Sequence, residues 1–271
     1  MNKLLIVITC FVLMLASATA MTVSFFEEFP DETTVEKMAL IDFDTRIYVA
    51  ARNLSEFYDY EEDFKSKNKQ VTGVIYWPVL EREEGYWISP WADAEALERI
   101  FNEVKERKDK RRLGMLLDLE PPLKRLRLLN FNFKNKRKIT EFIRTAEEHN
   151  ISISTVEKSY IPDWLLELFG LSFEPEKYGN RKIKMYYSSY RRQVLPDFVV
   201  DMLLERKVKK YARDKTTVGL GLIAPGIHDE THRITPDILQ RELEIASDLG
   251  IKEVIIFRLE GLDEEYLKAI R

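Results

Sequence analysis

The chain has 271 residues, with 42 basic and 46 acidic side chains and a formal net charge of −4. That balance excludes the strong positive field a nucleic-acid partner requires, and a single cysteine, Cys10, excludes a disulfide framework. Charged residues make up 32% of the chain while glutamine occurs only as Gln70, Gln193 and Gln240, a composition expected of a heat-adapted protein.

The chain opens with a positive start at Lys3, an apolar run over 4–15 and the small residues Ala16-Ser17-Ala18-Thr19-Ala20. This reads as a secretory signal over 1–20, cut after Ala20, and implies a secreted or extracytoplasmic protein. Left uncleaved, residues 4–20 would be a membrane anchor, being only slightly short of the roughly 18 to 20 residues that span a bilayer. Cys10 lies inside the apolar run, with more apolar residues after it, and is not placed as a lipidated first residue. The remainder, 21–271, is long enough to bury its own core as one domain.

From there β-rich runs alternate with helical segments. Strands are expected over 22–29, 45–52, 71–79, 113–120, 151–158, 182–189, 217–225 and 253–260. Amphipathic stretches between them include 93–110, 136–150, 197–213 and 236–250, with capping signals at Asp93, Asp197 and Thr235-Pro236, a stop at Gly250 and a short closing helix opened by Asp263. Eight strand–helix repeats in about 250 residues predict an α/β fold, a (β/α)8 barrel. An open doubly wound sheet would need a glycine-rich loop after its first strand, and FFEEFPDE has no glycine. No linker, low-complexity tract or short repeat interrupts the pattern.

In such a barrel the chemistry gathers at the carboxyl ends of the strands. Those ends are rich in carboxylates and aromatics: Glu27, Glu28, Trp77, Asp118, Glu120, Glu157, Lys158, Tyr186, Tyr187, Arg258 and Glu260, with Arg52 and His228 nearby. The amino-terminal ends show no such cluster. The fourth strand reads GMLLDLEPP over 114–122, so Asp118 and Glu120 share a face with Cα atoms roughly 6.6 Å apart. Mutual repulsion and partial burial predict that one of the two holds a proton near neutral pH, as a general acid must. In the alternative, Asp118 pairs with an Arg or Lys of another strand and Glu120 caps a loop.

The connection after the third strand places Trp77, Tyr86, Trp87 and Trp91 together. Flat rings cover the apolar faces of sugars while carboxylates bind hydroxyls, which makes Trp77, Tyr86, Trp87, Glu157, Tyr186, Arg258, Glu260 and Glu27 candidate substrate contacts. Trp91, just before a helix cap, is expected to pack the loop down. Gly219 and Gly221 share one face of the seventh strand, where they open a groove or admit close packing. The basic stretch 124–138, with its apolar residues beneath, could fold over the site, and the stretch 205–215 reads as a solvated helix face. Asn53 and Asn150 begin glycosylation sequons.

Here the sequence resembles a known family. LLDLE at the end of the fourth strand is similar to the tail of the DxxDxDxE signature of family 18 glycoside hydrolases, the chitinase family, and less closely to the D-x-E of family 25 lysozymes. KMYYSS resembles the M-x-Y-D strand of the chitinase family. The resemblance implies that Glu120 protonates a glycosidic oxygen, that Asp118 orients the substrate's N-acetyl group and that Tyr187 partners it. Leu113 and Leu116 replace the earlier aspartates, and Ser188 replaces the strand-six Asp, so the likeness is one of site layout.

The expected partner is a carbohydrate polymer, with no nucleic acid, a membrane only through an uncleaved N-terminal segment, and no cofactor. Two readings compete. Glu120, Glu157, His228 and Glu260 could assemble as metal ligands from separate strands, whereas His149 and His232 do not complete a three-histidine site. Alternatively the chain keeps the barrel as a non-catalytic carbohydrate or cell-surface binding protein.

Overall fold

The computed structural model describes residues 21–121, 130–159, 161–213, 216–227 and 232–271. The expected signal segment, much of the basic stretch 124–138, and His228 lie outside them. Eight parallel strands close into one barrel in chain order: β1 (Thr22–Glu27), β2 (Thr45–Ala51), β3 (Val71–Pro78), β4 (Leu113–Asp118), β5 (Ile151–Lys158), β6 (Arg181–Met185), β7 (Thr217–Leu222) and β8 (Glu253–Phe257). Closure runs through β1 and β8, paired from Thr22 with Glu253 to Phe26 with Phe257.

Around the barrel lie α1 (Glu32–Lys37), α2 (Leu54–Lys67), α3 (Ala94–Glu106), α4 (Phe133–Thr145), α5 (Asp163–Leu168), α6 (Ser189–Arg192), α7 (Asp197–Arg213), α8 (Pro236–Asp248) and α9 (Glu264–Ile270). Two of the expected caps form, whereas Thr235 makes no side-chain cap bond and Asp197 is the first residue of α7 itself. Asp93 and Asp263 accept hydrogen bonds from the first-turn amides of α3 and α9. Both sequon asparagines are structural: Asn53 caps α2 through Glu56 N, and Asn150, in the left-handed region at φ 57°, donates to the Lys110 carbonyl.

Two apolar layers result from strand alternation. Phe25, Ile47, Val49, Met115, Leu117, Ile153, Val218 and Ile256 pack outward against the helices. Phe26, Tyr48, Trp77, Leu116, Val156, Ile183 and Ile255 fill the lumen. This parity fixes the side chains at the mouth. Positions 26 and 28, 116, 118 and 120, 156 and 158, and 185 and 187 face the barrel axis, whereas 27, 157, 184 and 186 face the helices.

All strands except β5, which spans 151–158 as expected, are shorter than expected at their carboxyl ends. β4 stops at Asp118 and β6 at Met185, because the following residues turn into mouth loops. Gly219 does not open a groove: a Cβ there would lie 2.2 Å from Met185 Sδ, so the missing side chain is replaced by Met185. At Gly221, φ is 66° and the β7–β8 register shifts between Leu220 and Leu222.

The amino-terminal ends, expected to lack a polar cluster, hold one. Glu253 accepts from Ser24 at 2.8 Å and Arg181 at 3.1 Å, and Arg46 lies 3.6 Å away. The Tyr48 hydroxyl completes the group at 3.3 Å.

Candidate active site

At the opposite end a narrow pit of about 50 Å³ opens into the barrel, with Asp118 and Glu120 among its lining residues. Its walls are aromatic: Phe26, Trp77, Trp87, Tyr187 and Phe257, with Trp77 edge-on to Phe26 at 5.8 Å and Tyr187 5.8 Å from Phe257. Its polar groups are Asp118, Glu120 and Glu28.

Asp118 is buried, and its Oδ1 has no hydrogen-bond partner among the described residues. Burial among apolar rings penalises its anion, and the charges of Glu120 and Glu28 add to that penalty. Lys158 pulls the other way but does not prevail, so the carboxyl is held well above the ordinary aspartate range. Glu120 is bonded to Lys158 at 2.7 Å, across the β4–β5 junction. The expected acid pair therefore exists on one inward face, and burial favours the protonated form at Asp118. Glu120, expected to be the proton donor, has the cation of β5 beside it, while Asp118 has rings.

Glu28 accepts from the Tyr86 hydroxyl and from Ile227 N, each at 3.0 Å. Tyr86 reaches it from a backbone in the left-handed region, φ 68°, following Gly85 at φ 122°. Burial and the neighbouring Glu28 push the Tyr86 phenol far above its usual range, so it remains a donor. Gly226 leaves room for this carboxylate, since a Cβ there would sit 2.8 Å from Glu28 Oε2 and 2.8 Å from the Phe257 ring, and one of them would have to shift. Beyond Glu28, Tyr86 and Ile227 lies a wider outer groove of about 600 Å³ over β1 to β3, whose walls include Arg52, Tyr60 and Glu81.

The site thus brings together Asp118, Glu120, Tyr187, Trp77 and Trp87, with Tyr86 at the rim. Five other expected contacts lie elsewhere. Glu157 faces the helices, bonded to Lys184 at 2.6 Å with Lys182 at 3.4 Å. Tyr186 also faces outward, under the Arg191 guanidinium at 5.1 Å. Glu27 is fully buried and accepts from Arg258 Nε at 2.8 Å, Glu260 N at 2.9 Å and Phe29 N at 2.9 Å. Arg258 also contacts Glu260 and the Pro225 carbonyl, so these three residues clasp the end of β1 to the loop after β8. Desolvation raises the Glu27 pKa despite Arg258. Trp91 packs against Phe131 at 5.1 Å with Leu166 and Leu171, away from the pit, as expected.

The residue missed at the sequence level is Glu28, which took second place to Glu27. The one available signal was that polar Ser24 shares parity with Glu28, which would have put Ser24, Phe26 and Glu28 on the lumen side.

The proposed metal set does not converge. Glu157 points away from the axis, Glu120 is bonded to Lys158 and Glu260 to Arg258. Among the described residues no group of three or more His, Cys, Asp or Glu is arranged to hold a metal ion.

Comparison with known proteins was made at three levels. No family model matches the sequence, and no curated protein matches it. Among solved structures the chain is similar to a xylose isomerase domain protein from Planctomyces limnophilus (TM-score 0.51, 10% identity, 92% of this chain and 93% of that chain). It is similar to active domain 2 of chitinase from Pyrococcus furiosus (TM-score 0.51, 11% identity, 87% and 83%). It is also similar to a glycoside hydrolase family 5 enzyme from Prevotella bryantii, solved with a xyloglucan tetradecasaccharide (TM-score 0.53, 10% identity, 89% and 86%). At these identities the likeness shows the (β/α)8 fold.

Proposed function

We propose that the mouth of this barrel hydrolyses a glycosidic bond, with Asp118 as the proton donor. The observation that supports it best is a buried carboxyl whose Oδ1 has no partner, lining an aromatic pit beside the Glu120–Lys158 pair. Acetal hydrolysis needs a proton delivered to the leaving oxygen and negative charge near a sugar that becomes cationic. Asp118 supplies the first, and Glu28 and Glu120 supply the second. Aromatic walls suit the C–H faces of a sugar.

The dimensions narrow the reading. A pit of about 50 Å³ is too small for a sugar ring, since a cavity that holds a single benzene ring measures about 150 Å³. We assign it to a protruding group, an acetamido or hydroxymethyl, with the ring itself in the outer groove. Tyr187 then faces that group, as the likeness to the chitinase family implied, while Asp118, to which the likeness gave the same task, delivers its proton to the leaving oxygen beside it. Export through residues 1–20 belongs to the same reading, since a carbohydrate polymer is met outside the cell.

The test is a screen of N-acetylated polymers, chitin and peptidoglycan first, then other glycans, at elevated temperature. Wild-type turnover should fall about 10²- to 10⁴-fold in Asp118→Asn, which keeps the shape but has no proton to release. Undiminished turnover in folded Asp118→Asn refutes the role. Saturable glycan binding with no turnover on any polymer would favour the non-catalytic binding protein.

A further inference from the structure

The unassigned feature is at the other end of the barrel. Between the amino-terminal halves of β3 and β4 the ladder is sparse: their register pair is Tyr76 with Met115, whereas β2 and β3 pair from Thr45 with Val71 to Ala51 with Pro78. Three positions lining this stretch, Gly73, Gly114 and Ser152, have little or no side chain, and a cavity of about 500 Å³ lies there, ten times the volume of the pit.

Its charge is unbalanced. Arg46 and Arg181 both line the cavity and share one carboxylate, Glu253, so two guanidinium ions answer to a single anion. Arg181 makes the close contact, 3.1 Å, while Arg46 stands 3.6 Å away, beyond hydrogen-bonding distance. Their side chains are 34% and 41% exposed, for Arg46 and Arg181 respectively, so neither is lost to the interior. At the rim Arg111 lies over the Tyr58 ring at 5.7 Å and is neutralised by Asp109 and Glu61. A half-buried cation without its own counter-charge is costly, and the fork of an arginine suits an oxyanion.

We infer that this cavity at the barrel floor binds a small solute bearing a phosphoryl or carboxylate oxyanion, held by Arg46 and Arg181. The site is separate from the mouth and does not depend on the hydrolase reading. Stability alone would be served as well by one arginine on Glu253, and it would not call for a sparse ladder or a cavity.

Isothermal titration calorimetry with pyrophosphate and with citrate, at one fixed ionic strength, tests it. The expected result is saturable binding of at least one probe with a stoichiometry of one, and which probe binds identifies the oxyanion. Ser152→Asp leaves Glu253 and both arginines in place but puts a carboxylate in the cavity, so affinity should fall at least tenfold while the melting temperature is kept. Arg46→Gln should weaken binding similarly and serves if Ser152→Asp does not fold. A wild-type chain that binds neither probe, or affinity that survives unchanged in either folded variant, overturns the proposal.

Discussion

A carboxyl group that shares a pit with Phe26, Trp77 and Phe257 has few polar neighbours, and at Asp118 no described residue offers Oδ1 a hydrogen bond. Two residues further on, Glu120 has Lys158 at 2.7 Å. The same chemical group therefore sits in two opposite environments, rings at Asp118 and a cation at Glu120. Because the Asp118 pKa is raised in the fold, its contribution to stability is complete below the unfolded value of about 3.8 and is lost as pH rises toward the folded value. Asp118→Asn has no such loss, so its melting temperature should gain on wild type steadily from pH 4 to pH 8, as differential scanning fluorimetry would record. Equal pH slopes in the two proteins would contradict the burial argument. Glu120→Gln removes a repelling charge and frees Lys158, and should shift Asp118 titration toward lower pH.

At the scale of elements, the loops that end β1, β6 and β8 are fixed by buried ion pairs more than by regular hydrogen bonding. Glu27 clasps the end of β1 to Arg258 and Glu260, and removing one partner of a buried pair typically costs about 3 to 5 kcal/mol. Glu27→Ala should lose stability on that scale in urea unfolding, a loss expected of a clasp and not of a substrate contact. Between α6, α7 and α8, Arg192 bonds Glu242 at 3.2 Å and also reaches Asp201, and burial raises the Glu242 pKa to about 7. The sign is the same as for Asp118: stability held at low pH is lost as pH climbs from about 4.5 through about 7. Full ionisation costs on the order of 3 kcal/mol, so Glu242→Gln should flatten the urea midpoint between pH 5 and pH 8. The strand positions were legible from the sequence, but their inward and outward phases were not. β1, β5 and β6 are largely buried on both faces, and the polar sets they carry, Ser152 with Ser154 and Lys182 with Lys184, do not by themselves say which face turns to the lumen and which to the helices. Hence Glu27 stood in for Glu28, and Glu157 and Tyr186 were assigned to the mouth. β4 was the exception, because Asp118-x-Glu120 needs only the period of two.

Across the whole molecule, eight strand signals and their helices were enough to specify a closed barrel, since local periodicity and chain length determine that architecture. What local pattern cannot carry is the partner of a charge. Glu253 meets Arg46 and Arg181 only when β8 closes on β1, and Glu120 meets Lys158 only when β5 lies beside β4. Among the described residues the pit sets Asp118, Glu120 and Glu28 beside Lys158, and the floor sets Arg46 and Arg181 on Glu253. No helix among the described residues is long and apolar enough to cross a membrane. The central claim is that Asp118 holds a proton inside this mouth at neutral pH. Carbon-13 NMR of the aspartate carboxyl carbons, titrated from pH 3 to pH 9 and assigned by comparison with Asp118→Asn, measures it directly. The account predicts that the Asp118 signal keeps the shift of a protonated carboxyl through pH 7, and a signal that titrates near pH 4 like an exposed aspartate would contradict it.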